Sequence, residues 1–330
     1  MLRYGFIGLG NLGKHLAANL ARGAFDVGVH DLNRVAADPA VAAGAHWVAS
    51  VPELAQSCDA LITCLPSPAT SSAVMNEALP LLHPGSTWIE MSTNDFVEVE
   101  RIAARALRVG VSTLVCPVTG GVHRAAAGDI TVLVGGSQQE YSAHEPALKA
   151  MGGRVIFLGG IEQAAVTKVV TNMLAFIHLI AAGEALMLCA KAGVDLRAAF
   201  DAIAASSGNS FVHETESQVI LNGSYDIGFT MDLACKDAGF AVEFGRRFGV
   251  PLRLAGMMEQ IFIEGRAKYG GGAWSSMIVK LLEDAVGTAL RAPGFPAKLD
   301  QAMPEHLERD ESKTATGLSQ GCRKLTWGHR

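Results

Sequence analysis

The sequence predicts an α/β chain in two folded parts: a doubly wound N-terminal domain over residues 1–160 and an all-helical domain over residues 161–291, joined by one long interdomain helix. Three observations carry this. Up to about residue 160, short β-branched runs alternate with Ala/Leu-rich stretches, the pattern of βαβ units and a parallel sheet. Beyond Gly160 the strand signals stop, and EQAAVTKVVTNMLAFIHLIAAGEALMLCAKAG reads as one helix far longer than the mean of about 11–12 residues. The length of 330 residues suits two domains of roughly 150 each, and 49% hydrophobic against 18% charged residues is the reverse of a disordered composition.

Taken in order, strands are predicted at Arg3 to Gly8, Phe25 to His30, Ala60 to Leu65, Thr87 to Met91, Thr113 to Val118, Ile130 to Val134 and Val155 to Leu158. Each is a short run rich in β-branched residues, set between Ala/Leu-rich helical stretches. Helical periodicity fills the gaps, as at Leu12 to Ala21 and Glu98 to Leu107. In the second part, SSGNS at Ser206 to Ser210 and GGG at Gly270 to Gly272 separate further helices. From about Ala292 the composition turns to mixed charge and Ser/Thr, which predicts a solvated polar tail over residues 292–330, compatible with disorder.

A net charge of −5 gives no basic footprint for nucleic acid or an anionic membrane surface. The uncharged stretch VVTNMLAFIHLIAAG between Lys168 and Glu184 is shorter than the roughly 18 apolar residues of a span and is read as a packed helix. No targeting segment is expected at MLRYGFIGLG. Cys58, Cys64, Cys116, Cys189, Cys235 and Cys322 form no C-x-x-C pair, which predicts a reducing, cytoplasmic setting.

The strongest local signal is Gly8-Leu9-Gly10-Asn11-Leu12-Gly13, between a predicted strand and a predicted helix. The first glycine permits the tight turn, the second lets backbone approach a pyrophosphate, and the third allows close helix packing, with the helix N-terminus facing the anion. This context predicts a Rossmann-type dinucleotide site rather than a bare turn. Asp31, at the end of the next strand, stands about 20 residues on, where an acid takes the ribose hydroxyls of NAD. Arg34 nearby leaves NADP open. Two further strands end in Cys64-Leu65-Pro66-Ser67-Pro68 and Met91-Ser92-Thr93-Asn94, so Leu65, Pro66 and Thr93 reach the sheet edge where ligands sit. Thr119, Gly120, Gly121, His123 and Arg124 follow another strand and offer a hydroxyl, unhindered N–H groups, an imidazole and a guanidinium, a set suited to a small carboxylate.

GFIGLGNLG, CLPSP, MSTN, PVTGGVHRAAAGDITVLVGG, AAVTKVVTNML and ACKDAGFA occur in this order. The co-linear set resembles the β-hydroxyacid dehydrogenases, which include 3-hydroxyisobutyrate dehydrogenase, tartronate semialdehyde reductase and L-threonate dehydrogenase and are related to 6-phosphogluconate dehydrogenase. The resemblance covers about residues 3–290. It implies that Lys168 is catalytic, that Asn172 one helical turn later places the substrate, that Lys236 of the Lys236-Asp237 pair lies near the cofactor, and that the chain forms homodimers or homotetramers. Such chemistry needs a proton donor or acceptor on the substrate oxygen, and an i,i+4 pair shares one helix face. A lysine in an apolar helix has its pKa pulled down toward working pH.

The expected reaction is NAD-linked interconversion of a small 3-hydroxy acid and its semialdehyde or oxo acid. The alternatives are an imine reductase-like enzyme, against which Lys168 counts, and a non-catalytic dinucleotide-binding module. Thr119 stands where the family more often has Ser, Val115-Cys116 replaces its usual Asp-Ala, and Asp95-Phe96 falls where many members carry Pro. These departures bear on the substrate. His213-Glu214-Thr215-Glu216-Ser217 begins like H-E-x-x-H but lacks the second His, so no catalytic metal is expected.

Overall fold

The structure, a computed structural model, describes residues 2–299. Nine strands form one sheet: β1 Arg3–Ile7, β2 Asp26–His30, β3 His46–Trp47, β4 Ala60–Thr63, β5 Thr87–Glu90, β6 Ser112–Val115, β7 Val118–Thr119, β8 Thr131–Gly135 and β9 Arg154–Gly159. The order is β3-β2-β1-β4-β5-β6-β8-β7, with β9 beside β8. The helices between them are α1 Gly13–Arg22, α2 Asp38–Ala42, α3 Val51–Ser57, α4 Pro68–Ala78, α5 Phe96–Arg108, α6 Val122–Ala127 and α7 Gln138–Met151. From β3 to β6 every pairing is parallel. Strand order reverses beside β1, which puts the topological switch point at the glycine turn that follows it.

Three features differ from the sequence reading. The sheet is not wholly parallel, because β8 runs antiparallel to both β6 and β7. The single strand expected over Thr113 to Val118 is two, interrupted at Cys116-Pro117. Pro117 has no N–H to give a ladder, and its carbonyl accepts from Leu133 instead. Edge strand β3 has only two residues, too few to show periodicity.

The helical part comprises α8 Ile161–Lys191, α9 Leu196–Ala204, α10 Phe211–Asn222, α11 Met231–Phe248, α12 Arg253–Tyr269 and α13 Lys280–Val286. With 31 residues, α8 is long and apolar enough by length and composition to cross a membrane, so shortness does not exclude a span. Its N-terminal half packs instead across the domain junction: Ala164, Ala165 and Val169 share one buried cluster with Phe96, Val99 and Val115 of the sheet domain. Further along, Phe176, Leu179, Leu186 and Met187 join the helical core with Phe262, Ile278 and Val279.

Residues 292–298, read from sequence as the start of the tail, are fastened to this core. Phe295 is buried, its carbonyl accepts from the Asn222 side chain at 2.8 Å, and the Ser224 hydroxyl donates to the Ala297 carbonyl. Apolar Phe295 among Gly, Pro and Ala gives too short a pattern to read. The remainder of the expected tail, from residue 300, lies outside the described residues, as does Cys322.

Candidate functional site

Gly8 follows β1 with φ +98°, and a Cβ there would sit 2.3 Å from the Cys64 carbonyl oxygen. A Cβ on Gly13 would lie 2.0 Å from the Gly8 oxygen, so the start of α1 packs against the turn as only glycine allows. At Gly10, by contrast, nothing lies within 4 Å of where a side chain would begin. The turn is therefore closed behind and open in front, and Leu12 caps α1 without a side-chain hydrogen bond. Asp31 follows β2, its carboxylate accepting from the Leu9 N–H at 2.6 Å and the Asn33 N–H at 2.8 Å. It holds the turn in shape at the edge where a ribose would lie. This arrangement fits a dinucleotide. Arg34 is drawn toward Asp38 (3.0 Å) and lies over the Trp47 ring at 4.9 Å.

The turns after β4 and β5 are tied together. The Leu65 N–H donates to Ser92 Oγ at 2.8 Å, and the Ser92 N–H donates to Glu90 Oε1 at 2.7 Å. Glu90 is fully buried and also accepts from Thr63 Oγ1 at 3.2 Å. Burial raises its pKa, opposed by the bonds from Ser92 and Thr63. Pro66 is exposed at the tip of the first turn, and Thr93 presents its carbonyl to the Lys236 ammonium at 2.5 Å.

Lys168 stands on the second turn of α8, where the helix passes behind the sheet edge. Its Nζ donates to Asn172 Oδ1 at 2.7 Å, Asn172 Nδ2 donates to Asp237 Oδ2 at 2.6 Å, and Lys236 Nζ pairs with Asp237 Oδ1 at 2.8 Å. Lys168 is 8% exposed and Asp237 1%. Burial lowers the Lys168 pKa to about 8, against the pull of Asp237 and with a smaller push from Lys236. A void of about 10 Å³, the size of one water, touches Lys168, Glu90, Ser92 and Thr93, so the lysine and the β5 turn share one space.

Thr119, Gly120 and Gly121 lead into α6, with φ +129° and +88° at the glycines. The two following side chains fold back over them. Arg124 is engaged by Asp129, and the His123 ring stacks on Phe211 of α10 across the domain junction at 6.2 Å. Asn11 also bridges the domains, its Nδ2 donating to the Gly228 carbonyl at 3.1 Å.

The structure thus joins Lys168, Asn172, Lys236 and Thr93 into one chain of contacts. Gly8, Gly10, Asn11, Leu12, Gly13 and Asp31 form a second group, and Thr119 to Arg124 a third. Sequence reasoning missed Asp237 and Glu90 as site residues. An acid inside the apolar strand TWIE is the signal for Glu90, and the K-D pair itself contains Asp237. Among the described residues no three His, Cys, Asp or Glu gather as a metal site. In the HETES stretch, His213 bonds the Phe200 carbonyl and Ser217, which makes it a packing residue.

A glycine turn at the switch point of a doubly wound sheet, together with a buried lysine on an interdomain helix, defines an NAD(P)-dependent dehydrogenase. Residues 3–160 match the family described as the NAD binding domain of 6-phosphogluconate dehydrogenase, and residues 163–282 that described as the NAD-binding of NADP-dependent 3-hydroxyisobutyrate dehydrogenase. The chain is 31% identical over 293 residues to a 2-(hydroxymethyl)glutarate dehydrogenase of Eubacterium barkeri, covering 88% of this chain and 97% of that one. It is 33% identical over 281 residues to an L-threonate dehydrogenase of Cupriavidus necator, covering 84% and 95%. A 3-hydroxyisobutyrate dehydrogenase structure from Salmonella typhimurium superposes with a TM-score of 0.79 at 28% identity, over 85% of this chain and all of that one. The chain belongs to the β-hydroxyacid dehydrogenase family, and its cofactor is NAD or NADP.

Proposed function

We propose that the chain interconverts a small 3-hydroxy acid and its semialdehyde or oxo acid, with NAD as the preferred cofactor and Lys168 as general acid/base. The observation that carries this reading is the lysine itself: buried at the domain junction, oriented by Asn172, with its pKa lowered by burial to about 8. A nicotinamide, when bound, takes or gives the hydride. Lys168 Nζ takes the hydroxyl proton during oxidation and returns it during reduction. Asn172 fixes the amine through Oδ1 and is itself fixed by Asp237. The N–H groups and hydroxyl of Thr119, Gly120 and Gly121 hold the carboxylate.

Preference for NAD is supported by the Asp31 carboxylate beside the turn, which repels a 2′-phosphate, and by the engagement of Arg34 with Asp38 and Trp47. The test is NAD(P)H formation across 3-hydroxyisobutyrate, glycerate, threonate, serine and 4-hydroxybutyrate with each cofactor. At least one 3-hydroxy acid is expected to be oxidised, with kcat/KM at least about tenfold higher with NAD. Equal use of NADP would defeat the cofactor assignment, and no turnover of any hydroxy acid would defeat the reading.

Assembly through the helical domain is proposed from α8 and α12. Val170, Leu174, Ala181, Ala185 and Leu188 form an exposed stripe along α8, while Leu254 and Met257 are exposed on α12. So much apolar helix surface calls for a partner, and a second copy fits a dimer or tetramer. Light scattering should return the mass of two or four chains for the wild type and a smaller species for a Leu174→Asp, Leu188→Asp double variant. A monomeric wild type would end this part of the proposal. Cys58, Cys64, Cys116, Cys189 and Cys235 are free thiols, which fits a reducing setting.

A further inference from the structure

We infer that the acid pocket takes a hydroxy acid with a single carboxylate and an uncharged tail, because Asp129 neutralises the one guanidinium that follows the Thr119-Gly120-Gly121 turn. This rests on the dehydrogenase reading above. The turn's two glycines are each covered by a neighbouring side chain: a Cβ on Gly120 would meet Arg124 Cδ at 3.0 Å, and one on Gly121 would meet His123 Cε1 at 3.0 Å. Arg124 and His123 therefore lie over the proposed carboxylate cradle.

Neither side chain offers a free positive charge there. Arg124 places Nε and Nη2 on one oxygen of Asp129, Nε at 3.0 Å. The backbone makes this pairing local: Gly128 turns left-handed at φ +75°, and the Asp129 N–H donates to the Arg124 carbonyl at 2.9 Å. Such a half-exposed pair adds little stability. Its effect is on the field, since the guanidinium arrives at the pocket with its counter-charge attached.

His123 lies flat against Phe211, at an interplanar angle of 14°, and its Nε2 is buried without a partner. Burial and the Arg124 charge both lower its pKa and so favour the neutral imidazole. The side chains over the turn are thus an imidazole backed by the Phe211 ring and the stem of an ion-paired arginine. A second carboxylate would lose water against these groups and meet the Asp129 charge.

The test compares kcat/KM for three substrates that share the reacting CH2OH and the first carboxylate. 3-Hydroxyisobutyrate carries a methyl tail, 2-(hydroxymethyl)pentanoate a neutral propyl tail, and 2-(hydroxymethyl)glutarate a second carboxylate on a chain of similar length. Wild type is expected to favour the propyl acid over the diacid by at least about tenfold, given the cost of setting like charges together. Asp129→Asn, which frees the guanidinium, should shrink that ratio at least about threefold by raising the diacid. A wild type that uses the diacid as well as the propyl acid overturns the inference without relying on any variant. So does a folded Asp129→Asn enzyme with an unchanged ratio. Oxidation of none of the three would overturn this inference, whereas only the absence of turnover with glycerate, threonate, serine and 4-hydroxybutyrate as well would overturn the dehydrogenase reading with it.

Discussion

Lys168→Ala is expected to lose about 10² to 10⁴ of kcat, the range for removing a positioned general acid or base, while binding NADH with near wild-type affinity. The separation follows from geometry. The groups proposed to hold the dinucleotide, Gly8 to Gly13 and Asp31, lie on β1, α1 and β2, whereas Lys168 lies on α8. Lys168→Arg should be almost as poor, since a guanidinium stays protonated and cannot act as base. Stability gives an independent readout. The folded pKa of about 8 lies below the ordinary lysine value of 10.5. The unfolded chain therefore binds more protons between these values, and stability rises with pH across that window. Below pH 8 the buried ammonium costs about 3 kcal/mol, the shift converted at 1.36 kcal/mol per pK unit. Lys168→Met should thus be inactive yet no less stable than wild type at pH 7. An inactive and destabilised Lys168→Met would mark the lysine as structural, and a kcat for Lys168→Ala within about threefold of wild type would remove it from the mechanism.

Asp237→Ala is the second large effect. Asp237 is buried and holds both Lys236 and Asn172, so removing it leaves the Lys236 ammonium with the Thr93 carbonyl but no counter-charge and Asn172 Nδ2 without its acceptor. Breaking a buried pair in this way costs about 3–5 kcal/mol, and the thermal midpoint should fall. Its charge is also what opposes desolvation at Lys168. The pH midpoint of the surviving activity should move below that of wild type, and kcat should fall as Asn172 loses its anchor. A stable Asp237→Ala enzyme with an unchanged pH profile would show that the Lys168–Asn172 pair stands without it.

The parts of the site legible in the sequence are those whose geometry is local. Gly8, Gly10 and Gly13 are set by spacing inside one turn, Asp31 by its place after β2, and Lys168 and Asn172 by the four-residue repeat of one helix. What escaped depends on contacts distant in sequence. Asn172 meets Asp237 across 65 residues, and Phe211 meets His123 only because the two domains close on each other. The antiparallel β8 is likewise a matter of pairing, which periodicity along one strand does not contain. Arg124 and Asp129 are an intermediate case. Five residues apart, they face one another because Gly128 turns left-handed, and a carboxylate just after a Gly is the signal for it. Pro117 is another, since a proline inside a predicted strand argues for a break.

The most direct test of the account is the pH dependence of kcat/KM in both directions, for wild type and Lys168→Ala. A single group with a pKa near 8 must be neutral to accept the hydroxyl proton and charged to return it. Oxidation should therefore rise with pH and reduction fall, with one common midpoint near 8, and both transitions should vanish from the residual activity of Lys168→Ala. Profiles that are flat across pH 7–9, or transitions that persist unchanged in the variant, would contradict the assignment of Lys168 as the acid/base.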